Sequence, residues 1–409
     1  MEHDEMIDRL KAIGRAFTPS SPIQERDLFA GRDDQMRTLV ITEGQVGQHA
    51  VIYGVRGAGK TSLARVAQVI IDPNLQPYYV CHSGDTFDSI WRGLLNTIII
   101  TQSIPSLGFD AADRTTPVTA AQLLIPADVV IDPQSIVQAL RMLAQHMRLT
   151  VVIDEFDRPT DGSLRVMMAD TIKILADHAL PVTIVLVGVA DSVSGLLREH
   201  QSIQRSLVQV EMPPMTNKEL RDIIQRGMSA CGLTYAEEFA RETVSLSLGL
   251  PHYTHLICLH GATFAVSAGR TRVEISDLNA ALRQAIEDAS QTVRERYHSA
   301  TYSNRETLYK AVLLACAMSP RDELNSFGAP DVRDKLRQIT GHNYDIPSFA
   351  NHLTDFSGSG NRGGLLKKIG TTRRFRYQFR DPLMPTYVLM RGRVDGDGAS
   401  QQSANQTDS

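Results

Sequence analysis

The chain has 409 residues, of which 42% are hydrophobic and 22% charged, and its formal net charge at pH 7 is −4. This composition excludes a wholly disordered chain, a collagen and a pure coiled coil, and the length corresponds to about two to four domains. The four cysteines are far apart and form no C-x-x-C pair, so they predict neither a zinc site nor a disulfide framework.

We expect neither a secretory signal nor a membrane-spanning segment. The first five residues are Met-Glu-His-Asp-Glu, acidic where a secretory signal would be basic. The longest apolar run, residues 180–190, is shorter than the ~20 residues that span a bilayer. We therefore expect a soluble cytoplasmic protein.

Between residue 28 and about residue 214, short apolar runs alternate with helical patterns. The runs are residues 49–53, 77–81, 149–153, 182–189 and 207–210. Val/Ile-rich runs separated by helices predict buried parallel strands in an α/β layer. The pattern weakens between Thr101 and Pro133, which predicts an insertion or a long loop.

From residue 216 to about residue 290 the pattern is helical. Thr216 with Glu219, and Thr234 with Glu237, have the spacing of capping boxes. Pro251 is placed to open a further helix as its first residue. The segment predicts a small all-helical module.

The last hundred residues predict three helices and a hairpin. The helices are expected near residues 305–318, 331–339 and 346–355, and the two strands at 365–369 and 375–379. Alternation of Phe375, Tyr377 and Phe379 places these aromatic side chains on one face, where they fill a core. The composition after Arg393 predicts a disordered tail.

The stretch 361–380 is strongly basic and contains no acidic residue. Its basic residues are Arg362, Lys367, Lys368, Arg373, Arg374, Arg376 and Arg380. Such a face can meet DNA phosphates. A solvated hairpin, or one that contacts protein, is the alternative.

Residues 54–61, Gly-Val-Arg-Gly-Ala-Gly-Lys-Thr, match the phosphate-binding motif G-x-x-x-x-G-K-[ST]. The predicted strand before it and helix after it fit this motif, because N–H groups of a tight turn and a helix N-terminus together bind anions. Lys60 can reach the β- and γ-phosphates, and the Thr61 hydroxyl suits Mg²⁺. We expect ATP and Mg²⁺ to bind here, with nucleotide contacts from Gly54, Val55, Arg56, Gly57, Ala58, Gly59, Lys60, Thr61 and Ser62.

The apolar run 149–153 is followed by two carboxylates, Asp154 and Glu155. Beside a phosphate loop, Asp154 would hold Mg²⁺ through water, and Glu155 would orient and activate the attacking water. The pair predicts ATP hydrolysis. The alternative for Glu155 is a solvated loop carboxylate.

With these two motifs the sequence resembles an AAA+ ATPase, of the clade that contains origin-recognition and loader ATPases, transposition regulators and STAND switch ATPases. The resemblance implies an α/β P-loop NTPase with a parallel-sheet core, an all-helical lid and a C-terminal winged helix-turn-helix. The implied domains are an N-terminal extension (1–27), the ATPase base (28–214), the lid (215–295), the winged helix (300–392) and a disordered tail (393–409).

The resemblance also implies further site residues. Residues 28–32, Leu-Phe-Ala-Gly-Arg, resemble the family segment beside adenine, which assigns Arg32 to the nucleotide; an ordinary turn is the alternative. Asp191 falls at the sensor position after the fourth strand, where the family often has Asn or Thr. Ser192 is the second candidate for this sensor, and either residue could instead cap the next helix.

Arg205 lies just before the last strand run, where the family carries the arginine finger that reaches a neighbouring subunit's nucleotide. Arg198 is the other nearby arginine, and an ordinary surface arginine is the alternative. No arginine follows Pro251, although the family often reads G-x-P-R there. The resemblance thus implies a nucleotide contact from Pro251 and from His252 or Tyr253, with helix N-terminal packing as the alternative.

These inferences lead to two functional hypotheses. The first is an ATP-hydrolysing AAA+ switch, a homo-oligomer whose winged helix couples nucleotide state to a DNA-associated partner. The second is a STAND-like signalling or defence switch whose winged helix binds protein.

Overall fold

The computed structural model describes residues 3–23, 26–104, 114–126, 128–145, 147–189, 203–303, 307–322, 325–370 and 375–405. The chain forms two compact units. The sheet unit is Pro22–Pro213, and the helical unit combines Met1–Ser21 with Pro214–Ser409.

The sheet unit is built on five strands: β1 (His49–Gly54), β2 (Tyr78–Val80), β5 (Leu149–Asp154), β6 (Val182–Val189) and β7 (Leu207–Glu211). They are all parallel and lie in the order β2-β5-β6-β1-β7. Within the described residues of this unit, the helices are α2 (Asp33–Gly44), α3 (Lys60–Ile71), α4 (Phe87–Asn96), α5 (Ala120–Leu124), α6 (Pro133–Leu143) and α7 (Gly162–Asp177). All five strands predicted from the apolar runs are confirmed.

The inner strands β1, β5 and β6 are buried on both faces along most of their length, which explains their mostly apolar sequences. In β5, Val151 and Ile153 belong to the core cluster that includes Trp91 of α4. Val152 lies in the opposite cluster with Leu63 and Ala67 of α3. Successive residues therefore face opposite layers, and Asp154 shares the α3 side with Val152.

A buried histidine fixes the start of β1. His49 is fully buried, and its Nδ1 accepts a 3.0 Å hydrogen bond from the Ile184 N–H of β6. Burial lowers its pKa to about 4, so the ring is neutral at pH 7 and keeps this acceptor. The bond adds to the ladder that holds β1 in register before the phosphate loop.

Part of the segment expected to be an insertion or a long loop is regular structure. β3 (Ile99–Ile104) and β4 (Arg114–Thr119) form an antiparallel ribbon, and α5 follows directly. The long-loop alternative is therefore wrong for these elements, while the insertion alternative stays a prediction. The sequence did not indicate the ribbon, because its strands lack apolar alternation and include Pro117, which is unusual inside a strand. Residues 105–113 lie outside the described residues.

The first part of the helical unit contains α1 (His3–Ala16), α8 (Asn217–Ala230), β8 (Thr234–Tyr235), α9 (Glu237–Ser247), α10 (Pro251–Ser267), β9 (Arg272–Val273), α11 (Ile275–Asp288) and α12 (Gln291–Thr301). Helix α1 packs against α8 and α10, and Arg9 donates a 2.7 Å bond to the Gly232 carbonyl. Residues 1–21 therefore complete this helical module.

The sequence signals in this module have mixed outcomes. The Thr216 box is confirmed: its hydroxyl accepts from the Glu219 N–H, and the Glu219 carboxylate accepts from the Thr216 N–H. The Thr234 box is wrong. Thr234 lies in β8 and bonds the Thr271 carbonyl, while α9 begins two residues later than such a box requires. Pro251 is the first residue of α10, as predicted.

The C-terminal part contains α13 (Tyr309–Met318), β10 (Phe327–Gly328), α14 (Ala329–Thr340), α15 (Ile346–Ser357), β11 (Leu366–Ile369), β12 (Arg376–Phe379) and α16 (Met384–Asn405). The strands form an antiparallel sheet in the order β10-β12-β11. The three predicted helices and the hairpin are present. Strand β10 adds a third strand that two residues of sequence could not signal.

The aromatic alternation of β12 is only partly confirmed. Tyr377 and Phe379 are buried and contact Phe327 of β10, with ring centroids 6.2 and 5.8 Å away. Phe375 was expected in the same core, but it precedes the strand and is 36% exposed. The Lys368 ammonium lies 3.6 Å above its ring, so a cation covers this aromatic face instead.

Helix α16 continues beyond Arg393 to Asn405, where the sequence predicts disorder. Once a helix is nucleated, each further residue is added at a low cost in free energy. Composition alone does not reveal this effect. Residues 406–409 lie outside the described part. No helix within the described residues combines the length and apolarity needed to cross a membrane.

Candidate active site

The phosphate-loop motif forms a tight turn between β1 and α3. Gly54, Gly57 and Gly59 have φ values of 144°, 81° and 89°, conformations that other residues rarely adopt. A Cβ on Gly54 would lie 2.8 Å from the Met212 carbonyl oxygen. The turn delivers the chain directly to the N-terminus of α3, whose first N–H groups have no intrahelical acceptor and can bind an anion.

Lys60 places a buried cation on this loop. The residue is 8% exposed, and its Nζ donates a 2.8 Å hydrogen bond to the Val55 carbonyl across the turn. Burial lowers the pKa of Lys60 to about 8, while the nearby Asp157 and Asp154 carboxylates oppose that shift. The ammonium is therefore mostly protonated at pH 7.

The two residues after Lys60 occupy different surroundings. Thr61 is half-buried in the first turn of α3. The Ser62 hydroxyl accepts a 3.1 Å hydrogen bond from the Ile23 N–H. Ser62 thus anchors the start of the sheet unit, and Thr61 is the residue that the sequence motif predicts to bind Mg²⁺.

Asp154 ends β5 at the carboxyl edge of the sheet, two strands from the phosphate loop. It is 2% exposed. Its Oδ2 accepts from the Tyr78 hydroxyl at 2.5 Å, and its Oδ1 accepts from the Glu155 N–H at 2.7 Å. Both oxygens are therefore fixed in direction.

Glu155 adopts φ +53°, a left-handed conformation uncommon outside glycine. Such strain tends to occur at functional positions. Its carboxylate is 43% exposed and accepts a 2.7 Å bond from Arg158. Glu155 thus leaves the buried strand and presents its carboxylate to solvent.

Asp157 is a site residue that the sequence reasoning missed. Its Oδ1 accepts a 2.8 Å bond from the Val189 N–H at the end of β6. Together with Asp154, its carboxylate opposes the lowered pKa of Lys60. In the sequence, its position three residues after Asp154 could have indicated that Asp157 lies near the site.

Arg32, expected at the nucleotide, is directed at protein backbone. It is 2% exposed and adopts φ 64° just before α2. Its Nη2 donates to the Ala58 carbonyl at 3.2 Å and to the Pro213 carbonyl at 2.6 Å. Arg32 therefore joins residues 28–32 to the phosphate loop and to the end of the sheet unit.

The remaining expected site residues belong to other elements or to residues outside the described part. Arg205 is exposed and precedes β7 at the amino edge of the sheet. Pro251 and His252 begin α10 in the helical unit, where His252 Nδ1 donates a 2.9 Å bond to the Pro19 carbonyl. Asp191, with Ser192 and Arg198, lies outside the described residues.

The donor set fits a magnesium nucleotide. The Thr61 hydroxyl and the Asp154 carboxylate are hard oxygen ligands, and Mg²⁺ usually takes few protein ligands beside phosphates and water. The described residues contain no cluster of three or more His, Cys, Asp or Glu side chains suited to a metal.

The chain is similar to several solved structures, all at low sequence identity. A Walker-type ATPase of Pyrococcus abyssi is 17% identical, with a TM-score of 0.52, and the match covers 91% of this chain and 99% of that one. The Aeropyrum pernix Orc1 protein, solved in complex with DNA, is 13% identical with a TM-score of 0.47, covering 92% and 96%. Cdc6p of Pyrobaculum aerophilum is 15% identical with a TM-score of 0.46, covering 94% and 98%.

The fold is that of a P-loop NTPase, with the phosphate loop between a parallel strand and a helix, as in this Walker-type ATPase. No curated protein matches the sequence. Residues 16–247, more than half of the chain, match the family described as novel STAND NTPase 1. The chain therefore belongs to the novel STAND NTPase 1 family.

Proposed function

We propose that the chain binds and hydrolyses ATP and acts as an AAA+ molecular switch. The observation that carries this proposal is that Lys60, Asp154 and Glu155 lie close together at the carboxyl edge of the sheet. The buried Lys60 ammonium binds phosphate in this proposal. The oriented Asp154 carboxylate holds the metal, and the exposed Glu155 carboxylate acts as the base.

Each residue has a distinct role in this proposal. Lys60 and the N–H groups of the loop neutralise the β- and γ-phosphates. Thr61 and Asp154 hold Mg²⁺, which when bound neutralises further phosphate charge. Glu155 orients and deprotonates the attacking water.

Arg205 lies too far from its own phosphate loop to serve it. Leu207, the first residue of β7, pairs with His49, the first residue of β1, and the loop begins at Gly54. Five strand residues span about 16 Å, which an arginine side chain does not bridge. We therefore propose that Arg205 acts in the site of a second copy, within a homo-oligomer.

Mixing two inactive variants tests the Arg205 assignment. Arg205→Ala and Lys60→Ala chains should each be inactive alone. When mixed, they should recover part of the ATPase rate, because some interfaces pair an intact pocket with an intact arginine. Arg205→Ala must retain ATP binding, measured in parallel. Activity of a demonstrated monomer, with no recovery on mixing, would contradict the proposal.

We further propose that residues 215–295 form the lid and 300–392 a winged helix-turn-helix. The element order of the second module supports this: α13, β10, α14, α15 and then the β11–β12 hairpin. In this proposal the winged helix couples the nucleotide state to a partner on DNA.

Only some of the basic side chains of the hairpin remain available to DNA. Arg376 bonds Asp322 and Ser326, and Arg380 bonds the Leu366 carbonyl. Arg362 donates to the Ala300 carbonyl. The exposed lysines Lys367 and Lys368 of β11 are the better candidates, and Arg373 and Arg374 lie outside the described residues.

Reversing the two β11 lysines tests DNA as the partner. The full-length Lys367→Glu, Lys368→Glu variant should bind duplex DNA at least about tenfold more weakly than the parent at low salt. The parent affinity itself should fall steeply with salt, because phosphate contacts release counterions. Lys11→Glu with Lys218→Glu changes the net charge equally on exposed helices and should bind as the parent does.

A protein-binding role is the second candidate, and membership of a STAND family favours it. If the parent binds no DNA at low salt with ATP present, the hairpin is a protein-contact surface. The chain would then be a signalling or defence switch whose nucleotide controls assembly.

A further inference from the structure

Tyr78 connects the edge strand of the sheet to the carboxylate of Asp154. The residue is buried in β2, opposite Val152 of β5 in the parallel register. Asp154 lies two residues further along β5 on the same face. The tyrosine reaches along that face, and its hydroxyl donates to Asp154 Oδ2 at 2.5 Å.

A buried tyrosine hydroxyl needs an acceptor, and a backbone carbonyl would serve that need. Here the acceptor is the carboxylate assigned to the metal. Asp154 Oδ1 accepts from the Glu155 N–H, so one hydrogen bond on each oxygen fixes rotation of the carboxylate. Two oxygens offer about four acceptor sites, which leaves acceptor sites on both for metal-bound water.

Arg65 extends this connection to the phosphate-binding helix. Its guanidinium carbon lies 3.2 Å from the centre of the Tyr78 ring. A cation over an aromatic face is attracted to the ring electrons and makes the phenol a stronger hydrogen-bond donor. Arg65 follows Thr61 by four residues on α3, so both lie on one helix face.

We propose that Tyr78 is a positioning residue that orients Asp154 toward Mg²⁺, with Arg65 holding the tyrosine ring. The contacts link the helix that carries Thr61 to the strand that carries Asp154, the two residues proposed to hold the metal. This inference rests on the proposed function and adds a residue to it that no phosphate-loop motif contains.

The test measures metal dependence rather than turnover. Binding of a fluorescent, non-hydrolysable ATP analogue to the full chain is titrated with Mg²⁺. Tyr78→Phe removes only the hydroxyl and should raise the half-saturating Mg²⁺ concentration by about three- to tenfold. Affinity for the analogue in EDTA should stay unchanged, because Lys60 and the loop provide it.

Tyr79→Phe is the matched control. It removes the same atom from the next residue, whose hydroxyl bonds Asp85 rather than Asp154, at 3.0 Å. It should leave the half-saturating Mg²⁺ concentration at the parental value. Asp154→Asn should give a larger shift than Tyr78→Phe in the same direction.

A purely structural tyrosine would give a different result. Tyr78→Phe would then lower the melting temperature and leave the Mg²⁺ titration unchanged, which would overturn the inference. If Tyr78→Phe does not fold, Arg65→Gln replaces it: a smaller upward shift supports the inference, and no shift overturns it. A parent chain that shows no Mg²⁺-dependent binding would contradict the proposed function itself, and the role of Tyr78 with it.

Discussion

Lys60→Ala is expected to weaken ATP binding by about 100-fold or more, enough to abolish it at ordinary concentrations. The substitution removes a buried cation whose charge-assisted bonds to phosphate are among the strongest that a protein makes. A loss of about 2.7 kcal/mol or more corresponds to this factor. Titration calorimetry with ATP and Mg²⁺ measures the affinity directly.

The fold should survive this substitution, because within the described residues the Lys60 side chain donates one hydrogen bond, to the Val55 carbonyl. Lys173→Ala is the control, since Lys173 is exposed on α7 and should leave the affinity unchanged. A folded Lys60→Ala chain that binds ATP as the parent does would show that the loop is not the phosphate site.

Glu155→Gln is expected to keep ATP bound and to slow its hydrolysis by about 100-fold or more. General-base catalysis contributes factors of this size, and an amide cannot accept the proton of the attacking water. The side chain is exposed and pairs only with Arg158 among described residues, so the change should not disturb the core. Phosphate release under saturating ATP measures the rate.

Glu238→Gln makes the same change on the exposed surface of α9, and its rate should equal that of the parent. Hydrolysis by Glu155→Gln at the parental rate would support the alternative, in which Glu155 is a solvated loop carboxylate. The base would then have to be sought elsewhere at the sheet edge, with Asp157 as the next residue to substitute.

The sequence predicts the sheet unit well because its signals are local. The inner strands β1, β5 and β6 are buried on both faces along most of their length, so each appears as a mostly apolar run. The phosphate loop is likewise a contiguous motif with required glycines. Position along the chain is therefore enough to place β1, the loop and α3 in order.

Elements that depend on distant partners were missed. The β3–β4 ribbon has a polar sequence, and its strands are defined by their pairing to each other. Strand β10 has only two residues and depends on β12. Thr234 has the spacing of a helix cap, but pairing of β8 with β9 overrides that local preference.

The same distinction applies to the site. Lys60, Asp154 and Glu155 are contained in short motifs, whereas Tyr78 and Arg32 reach the site from remote positions in the chain. Tyr78 contacts Asp154 across 76 residues, and Arg32 contacts Pro213 across 181. A tyrosine in an apolar run and an arginine in a turn carry no sign of such contacts until the strands are assembled.

The nucleotide recovered from the protein tests the central claim most directly. Purified parent and Glu155→Gln chains are incubated with ATP and Mg²⁺, freed of unbound nucleotide, and their bound nucleotide is separated and quantified. We predict ADP on the parent, ATP on Glu155→Gln and no nucleotide on Lys60→Ala. Absence of nucleotide on the parent, or ATP on the parent at the same level as on Glu155→Gln, would contradict an ATP-hydrolysing switch.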